Sequence, residues 1–233
     1  MSRIIDFHAH ILPGADHGSK STQTAVNQLT LIKEAGVDTV MATPHFYPNS
    51  IKVEDFLALR SKCVQRLMES EAASLGVHVI AAAEVLVCEE MEHMAGLEKL
   101  RIPGTDCILL EMPMKEWSSD LYDTVERIAD KHTVILAHID RYPLADVLQF
   151  LEFDNVYAQM NPSELEKPRL FINRKYLELI DKGWVVALGS DLHSANEKQY
   201  ASFLKAMKKL GSNRTEKIMT ASADILRSAE FII

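Results

Sequence analysis

Apolar and polar positions alternate in blocks along this 233-residue chain. Short, nearly continuous apolar runs recur, most of them followed by a longer amphipathic stretch. "RIIDF" (3–7), "DTVMAT" (38–43), "VHVIAAAEV" (77–85), "DCILLEM" (106–112), "TVILAH" (133–138), "NVYAQMN" (155–161) and "WVVALGSD" (184–191) read as strands. Residues 20–35, 53–75, 119–132, 168–182, 196–210 and 213–229 read as helices, from apolar side chains at helical spacing. Gly36, Gly76 and Gly183 stand as stop signals after three of them. Runs that are apolar on both faces mark parallel strands covered by helices. Regular strand–helix alternation predicts an α/β fold. Seven units without a linker predict a single closed or nearly closed barrel over residues 1–233. A doubly wound open sheet is the alternative. No Gly-rich fingerprint follows the first strand, which counts against a dinucleotide site.

The polar residues that interrupt this pattern fall at one kind of place. His8 and His10 follow strand one, His45 follows strand two, and Glu84 ends strand three. Glu111 ends strand four, His138 ends strand five, and Asp191 and His193 follow strand seven. In a parallel barrel the carboxyl ends of the strands converge on one mouth. Charged side chains at the end of an apolar run are rarely buried unless paired or metal-bound. Imidazole and carboxylate without thiolate suit manganese, iron, zinc or cobalt. His8 and His10, two residues apart on an extended segment, face the same way, and Asp191 and His193 repeat that spacing. With His17 the candidates are too many for one ion and enough for two or three. Taken singly, each is more simply a solvated or hydrogen-bonded residue; the signal lies in the set. His78, His93 and His132 lie away from the strands' carboxyl ends and read as structural or solvated. Asp6 shares the face of His8, either as an acceptor orienting an imidazole or as a buried, hydrogen-bonded carboxylate. Phe46, Trp117 and Tyr142 read first as packing residues and second as pocket walls.

Composition narrows the picture. A hydrophobic fraction of 47% supports a sizeable core. The net charge of -8 weighs against a nucleic-acid partner, because phosphates are neutralised by clustered Lys and Arg. No run approaches the roughly 18 apolar residues of a membrane helix, and the first residues lack a secretory pattern. Cys63, Cys88 and Cys107 are odd in number and not at metal-ligand spacing. They read as thiols of a reducing cytoplasm, and the expected protein is cytoplasmic and not membrane-inserted.

The motifs "HAHILPGADHGS", "ATPHFYP", "AEV", "LLEMP", "LAHIDRYP", "QMNPSEL" and "LGSDLHS", in this order, resemble the polymerase-and-histidinol-phosphatase (PHP) superfamily. Within it they resemble the manganese-dependent tyrosine-protein phosphatases of bacterial capsule and exopolysaccharide operons. The resemblance implies a distorted (β/α)7 barrel and two or three divalent ions, manganese first, with iron, zinc, cobalt or magnesium as alternatives. It implies one ion on His8, His10, Glu84 and Asp191, and a second on Glu84, Glu111 and His138. A third would lie on His17, His45 and His193. It also implies that Arg141 binds phosphate and aligns Lys198 with a second cation. Either Asp140 or a metal-bound water could protonate the leaving group, and the sequence does not choose between them. A metal-bridged hydroxide would attack phosphotyrosine on a protein, such as an autophosphorylating tyrosine kinase. A homo-oligomer is left open.

Three positions depart from the family's pattern. His17 stands where Asp is common, "HIDRY" replaces "HPERY", and Lys198 takes the place of an arginine. Lysine supplies charge without the planar fork that grips phosphate. These departures bear more on substrate than on reaction type. The rival readings are a small-molecule phosphoesterase of the histidinol-phosphatase type, an amidohydrolase or TatD-type nuclease, and a non-catalytic metal-stabilised module. An amidohydrolase usually has Lys where Glu111 stands, acidic charge opposes a nuclease, and the module would lack ligands.

Overall fold

The computed structural model describes residues 3–115, 117–167 and 174–233. Nine parallel strand segments form one ring: β1 (Ile5–Ala9), β2 (Thr39–Ala42), β3 (His45–Phe46), β4 (His78–Ala81), β5 (Glu84–Leu86), β6 (Cys107–Glu111), β7 (Thr133–Leu136), β8 (Val156–Met160) and β9 (Val185–Leu188). The helices are α1 (Thr22–Glu34), α2 (Val53–Met68), α3 (Ser119–Ala129), α4 (Leu144–Phe150), α5 (Ser163–Glu166), α6 (Arg174–Lys182), α7 (Glu197–Leu210) and α8 (Ser212–Ile225).

The strand expected over 77–85 is broken in two, as β4 and β5, and the strand expected over 38–43 is followed by a short unexpected one, β3. The break between β2 and β3 falls at Thr43–Pro44, where Pro has no N–H for the ladder. Ala82 and Ala83, between β4 and β5, lie opposite, because Ala42 pairs with Ala81 and His45 with Glu84. Hydrogen bonds bridge the gap, from Ala82 N to Ala42 O (2.8 Å) and from Glu84 N to Pro44 O (3.1 Å). The ring therefore divides into a three-stranded sheet β1–β2–β4 and a six-stranded sheet β3–β5–β6–β7–β8–β9. It closes between β1 and the segment after β9. There Asp191 N donates to His8 O (2.8 Å) and His10 N to Leu192 O (3.0 Å). The seam of the barrel is thus built from the His8–His10 pair and the Asp191 segment.

The strands are buried almost throughout, including all five residues of β1 and all four of β2 and β9. Helices cover them with one apolar stripe each. In α3, Leu121, Thr124, Val125, Ile128 and Ala129 are buried, and the Ser118 hydroxyl accepts from Leu121 N to cap the first turn. In α1, Ser21 caps Thr24 N, and Gly36 turns the chain at φ 77°, a conformation glycine adopts without steric cost.

Three boundaries differ from the sequence reading. The helix expected over 53–75 ends at Met68, and a short 3-10 turn, Glu71–Ser74, follows. Helix α4 has no counterpart in that reading; seven residues are too few for a clear period. The helix expected over 168–182 is seen as α6, and residues 168–173 lie outside the described residues. No helix among the described residues is long and apolar enough to cross a membrane.

Candidate metal centre

The candidate donors lie at or just beyond strand ends, apart from His17 in the loop after β1 and from His45 and Glu84, which open the short strands β3 and β5. Barrel closure gathers them at one mouth. Glu84, buried at the start of β5, is the hub. Its Oε2 lies 3.1 Å from His8 Nε2, 3.3 Å from His10 Nε2 and 2.9 Å from His45 Nδ1. Its Oε1 lies 2.7 Å from His138 Nε2. Glu111 stands next, with its carboxylate 3.5 Å from His45 Nδ1 and 3.7 Å from His138 Nε2. Asp191 Oδ1 is 3.3 Å from His10 Nε2, 3.7 Å from His8 Nε2 and 3.4 Å from His193 Nδ1. The His17 ring stacks on His45 and His193 at 4.8 and 4.5 Å. Three groupings place one donor atom per residue within 4.8 Å of the others: His8 with His10 and Asp191, His45 with Glu84 and Glu111, and His10 with His45 and His193. The candidates His17 and His138 join none of them, and neither do His78, His93 and His132.

Two of these residues hold backbone conformations that non-glycine residues rarely adopt. His138 has φ 33° and Asp191 φ 54°. Left-handed backbone of this kind costs roughly 1–3 kcal/mol and concentrates at functional sites. His138 lies two residues beyond β7 and Asp191 three beyond β9, where the chain turns out of the strand. Arg141 lies three residues beyond His138, its N–H bonded to His138 O at 2.9 Å. Its guanidinium is partly exposed and pairs with Asp191.

A second layer of polar groups fixes the rings. Gln159 Oε1 accepts from His138 N (2.7 Å) and faces His8 Nδ1 (3.2 Å). Gln159 Nε2 donates to Asn161 Oδ1 (2.8 Å), and Asn161 Nδ2 donates to Asp191 Oδ2 (3.1 Å). Asp16 Oδ2 takes His10 Nδ1 at 2.7 Å, while its Oδ1 accepts from Gly18 N. His193 Nδ1 is bonded to Asp191 O at 2.9 Å. A ring nitrogen tied to an acceptor carries the proton and leaves the other nitrogen's lone pair free. His8, His10 and His193 therefore all present Nε2 to the centre.

Glycine completes the seating. A Cβ on Gly189 would lie 2.5 Å from His8 Cβ and 2.7 Å from Gln159 Nε2. A Cβ on Gly18 would collide with His10 Cβ and lie 2.6 Å from its carbonyl oxygen.

The electrostatics of the cluster demand positive charge. Burial acts against every ion in it, yet hydrogen bonds and neighbouring charges prevail. Burial lowers His45, but Glu111 and Glu84 lift its pKa to about 9. His10 is likewise raised despite burial, by Asp16, Asp191 and Glu84. Glu84 and Asp191 are held below the usual carboxylate range by the surrounding imidazoles, and Asp191 also by Arg141. His193 is lowered to about 4 by burial and then by His10. Glu84 Oε2 and His45 Nδ1, though 2.9 Å apart, do not align as a hydrogen bond, and they and His193 Nε2 are buried without a hydrogen-bond partner. Buried orphans on an imidazole-and-carboxylate donor set fit hard to borderline divalent cations.

The remaining candidates fall outside this cluster. Asp140 is turned away, its carboxylate held by Asn161 N (2.8 Å) and the Ser163 hydroxyl. Lys198 is exposed in the first turn of α7, and no ion pair among the described residues joins it to the centre. Asp6 resolves as a buried, hydrogen-bonded carboxylate: its Oδ1 accepts from Ser190 N (2.8 Å) and His8 N (3.3 Å). Burial, opposed by Ser190 and His8, pushes its pKa up to about 6. Phe46 is core, and Tyr142 pins the end of β6 through the N–H and carbonyl of Met112. Sequence reasoning gave no role to Asp16, Gly18, Gln159, Asn161 or Gly189. Gln159 and Asn161 had a visible signal: two polar residues, two apart, ending an apolar strand.

The family model for capsular polysaccharide synthesis, CpsB/CapC, matches residues 4–227. The chain belongs to the CpsB/CapC family. It is 24% identical to the putative tyrosine-protein phosphatase CapC of Staphylococcus aureus, over 84% of this chain and 80% of that protein. It is 22% identical to the tyrosine-protein phosphatase CpsB of Streptococcus pneumoniae, over 84% and 85%. A solved structure from work on YwqE of Bacillus subtilis and CpsB of Streptococcus pneumoniae, described as metal-dependent tyrosine phosphatases, superposes with TM-score 0.75. That match has 20% identity and covers 97% of this chain and 96% of the other. Histidinol phosphate phosphatase of Lactococcus lactis superposes with TM-score 0.53 at 11% identity, over 89% and 92%. This CpsB/CapC member thus shares its fold with metal-dependent phosphatases, at identities too low to transfer individual residues' roles.

Proposed function

We propose that this CpsB/CapC chain is a metal-dependent protein-tyrosine phosphatase. The observation that carries the reading is the ring of imidazoles and carboxylates around Glu84, with Arg141 joined to Asp191 at its rim. We assign one ion to His8, His10, Glu84 and Asp191, a second to Glu84, Glu111 and His138, and a third to His17, His45 and His193. Manganese is the expected metal. When bound, the ions supply Lewis acidity to the phosphoryl group and to the attacking water.

The chain's own residues do the rest. Asp16, Gln159 and the Asp191 carbonyl hold three imidazoles in the tautomer that presents Nε2. Arg141 offers a planar fork to the phosphoryl oxygens, where charge builds during transfer. We assign that contact to Arg141, which pairs with Asp191, whereas no ion pair among the described residues joins Lys198 to the cluster. Asp140 positions Asn161, which in turn holds Asp191, so its part is structural support rather than proton transfer. A phenol has pKa about 10, so tyrosine leaves more readily than an alcohol and needs less help from an acid. A phosphotyrosine protein is the expected substrate, such as an autophosphorylating kinase, with cytoplasmic residence suggested by three unpaired thiols.

The test is direct. Manganese-loaded protein should hydrolyse p-nitrophenyl phosphate, and chelation should abolish the activity. It should favour a phosphotyrosine peptide over histidinol phosphate. Metal-loaded protein inert toward aryl, alkyl and diester phosphates alike would end the phosphatase reading.

A further inference from the structure

Beside the candidate centre lies an open cleft of about 730 Å³, running between the loop after β3, the end of β5 and the loop after β6. Its inner end is Glu111, and Tyr47 stands on its wall. The Tyr47 ring lies nearly parallel to His45, 5.1 Å away at 16°. Leu86, Cys88 and Met114 supply much of the remaining surface, backed by the buried Met112. Tyr47 and Met114 are two of the four large apolar side chains that stand exposed among the described residues, at 37% and 74%. Neither exposure serves the core, and both fall on this one cleft.

We propose that this cleft is the substrate's aryl subsite, receiving the phosphotyrosine ring and an apolar residue next to it in the peptide. The inference rests on the phosphatase reading and deepens it. A phosphoryl group needs only the space between the donors and Arg141. The cleft adds a volume within the roughly 300–1,000 Å³ of sites that enclose drug-sized ligands. That exceeds one phenyl ring and accommodates an adjoining side chain. Its wall is mostly apolar, with Glu89, Glu111 and Lys115 among its polar positions, and it offers broad contact to an aromatic face. Tyr47 can stack on the ring, while the exposed Met114, unbranched and polarisable, adapts to a variable neighbour. Tyr47 and Met114 are therefore specificity-determining residues rather than parts of the chemical machinery.

The test uses manganese-loaded full-length protein, wild type, Cys88→Trp and Tyr47→Ala. Substrates are phosphotyrosine peptides with Leu or Asp beside the phosphotyrosine. Inorganic phosphate serves as a competitive inhibitor that occupies only the metal–Arg141 end. The wild type should prefer the Leu peptide by about fivefold or more in kcat/KM. Cys88→Trp, which fills the cleft, and Tyr47→Ala, which removes its aromatic wall, should each raise peptide KM about tenfold. The inhibition constant of phosphate and the metal content per chain should stay within twofold. A wild type that turns over peptide without preferring Leu, or variants with unchanged KM, would overturn the subsite. So would a parallel loss of phosphate affinity or metal, which would place Tyr47 and Cys88 in the support of the centre. A wild type inert toward all phosphate esters would instead sink the phosphatase reading itself, and the subsite with it.

Discussion

Substituting alanine at Gly189 tests how closely the metal donors are seated. Gly189 has no positive φ, so alanine meets no backbone strain there. The new Cβ would fall 2.5 Å from His8 Cβ and 2.7 Å from Gln159 Nε2. Ordinary contact begins near 3.4 Å, so His8 and its amide partner must retreat by about 1 Å. Overpacking of this kind costs about 1–3 kcal/mol, and in a domain this size each kcal/mol lowers Tm by roughly 2–4 °C. Metal–ligand distances tolerate only about 0.2 Å. The displacement should therefore weaken metal binding by about 10–100-fold, as other losses of ligand support do. Gly36→Ala is the control. Its φ of 77° makes alanine strained, yet nothing lies within 4 Å of the new Cβ. It should lose about 1–2 kcal/mol of stability and keep its metal affinity. Manganese titration by calorimetry, with thermal melts in chelator, separates the two effects. If Gly189→Ala behaves like Gly36→Ala, losing stability alone, His8 is not held by the close approach of that backbone.

Other outcomes follow from the same geometry. Gln159→Leu removes the acceptor at His8 Nδ1 and at His138 N; metal affinity should fall about 10–100-fold, and an unchanged calorimetric titration would remove Gln159 from the site's support. Arg141→Ala should lower kcat on p-nitrophenyl phosphate by about 100-fold or more with metal content intact by elemental analysis; lost metal would mean that Arg141 acts by holding Asp191. His17→Ala should cost one bound ion per chain and leave the others, whereas full metal content would show that His10, His45 and His193 hold the third ion by themselves. Without metal His45 has a pKa of about 9, so ions that need neutral imidazole must displace its proton. Affinity should rise with pH from 6 to 9 and binding at pH 7 should release protons, measurable by calorimetry in buffers of different ionisation enthalpy; a flat pH dependence would contradict that assignment.

The sequence alone carried the parallel α/β architecture and the positions of the candidate donors. Both signals are local: a strand shows as an apolar run, and a polar residue ending that run shows without any partner in view. His8, His10, Glu84, Glu111, His138 and Asp191 were all legible in this way. The physical reason is that a parallel ring must aim every strand's carboxyl end at the same mouth, whatever the loops between. Only the tertiary structure decided which donors share a hub, and that the hub is Glu84. It alone showed Asp16, Gln159 and Asn161 orienting rings and carboxylate, and Gly18 and Gly189 admitting two histidines. It also turned Asp140 away and left Lys198 on the surface. Some of these contacts fold one loop onto itself, as Asp16 and Gly18 do against His10, and others join segments as far apart as His8 and Gly189, which meet only when the β1–β9 seam closes. No local period records a contact across a seam, so this layer of the site could be read only from the folded chain.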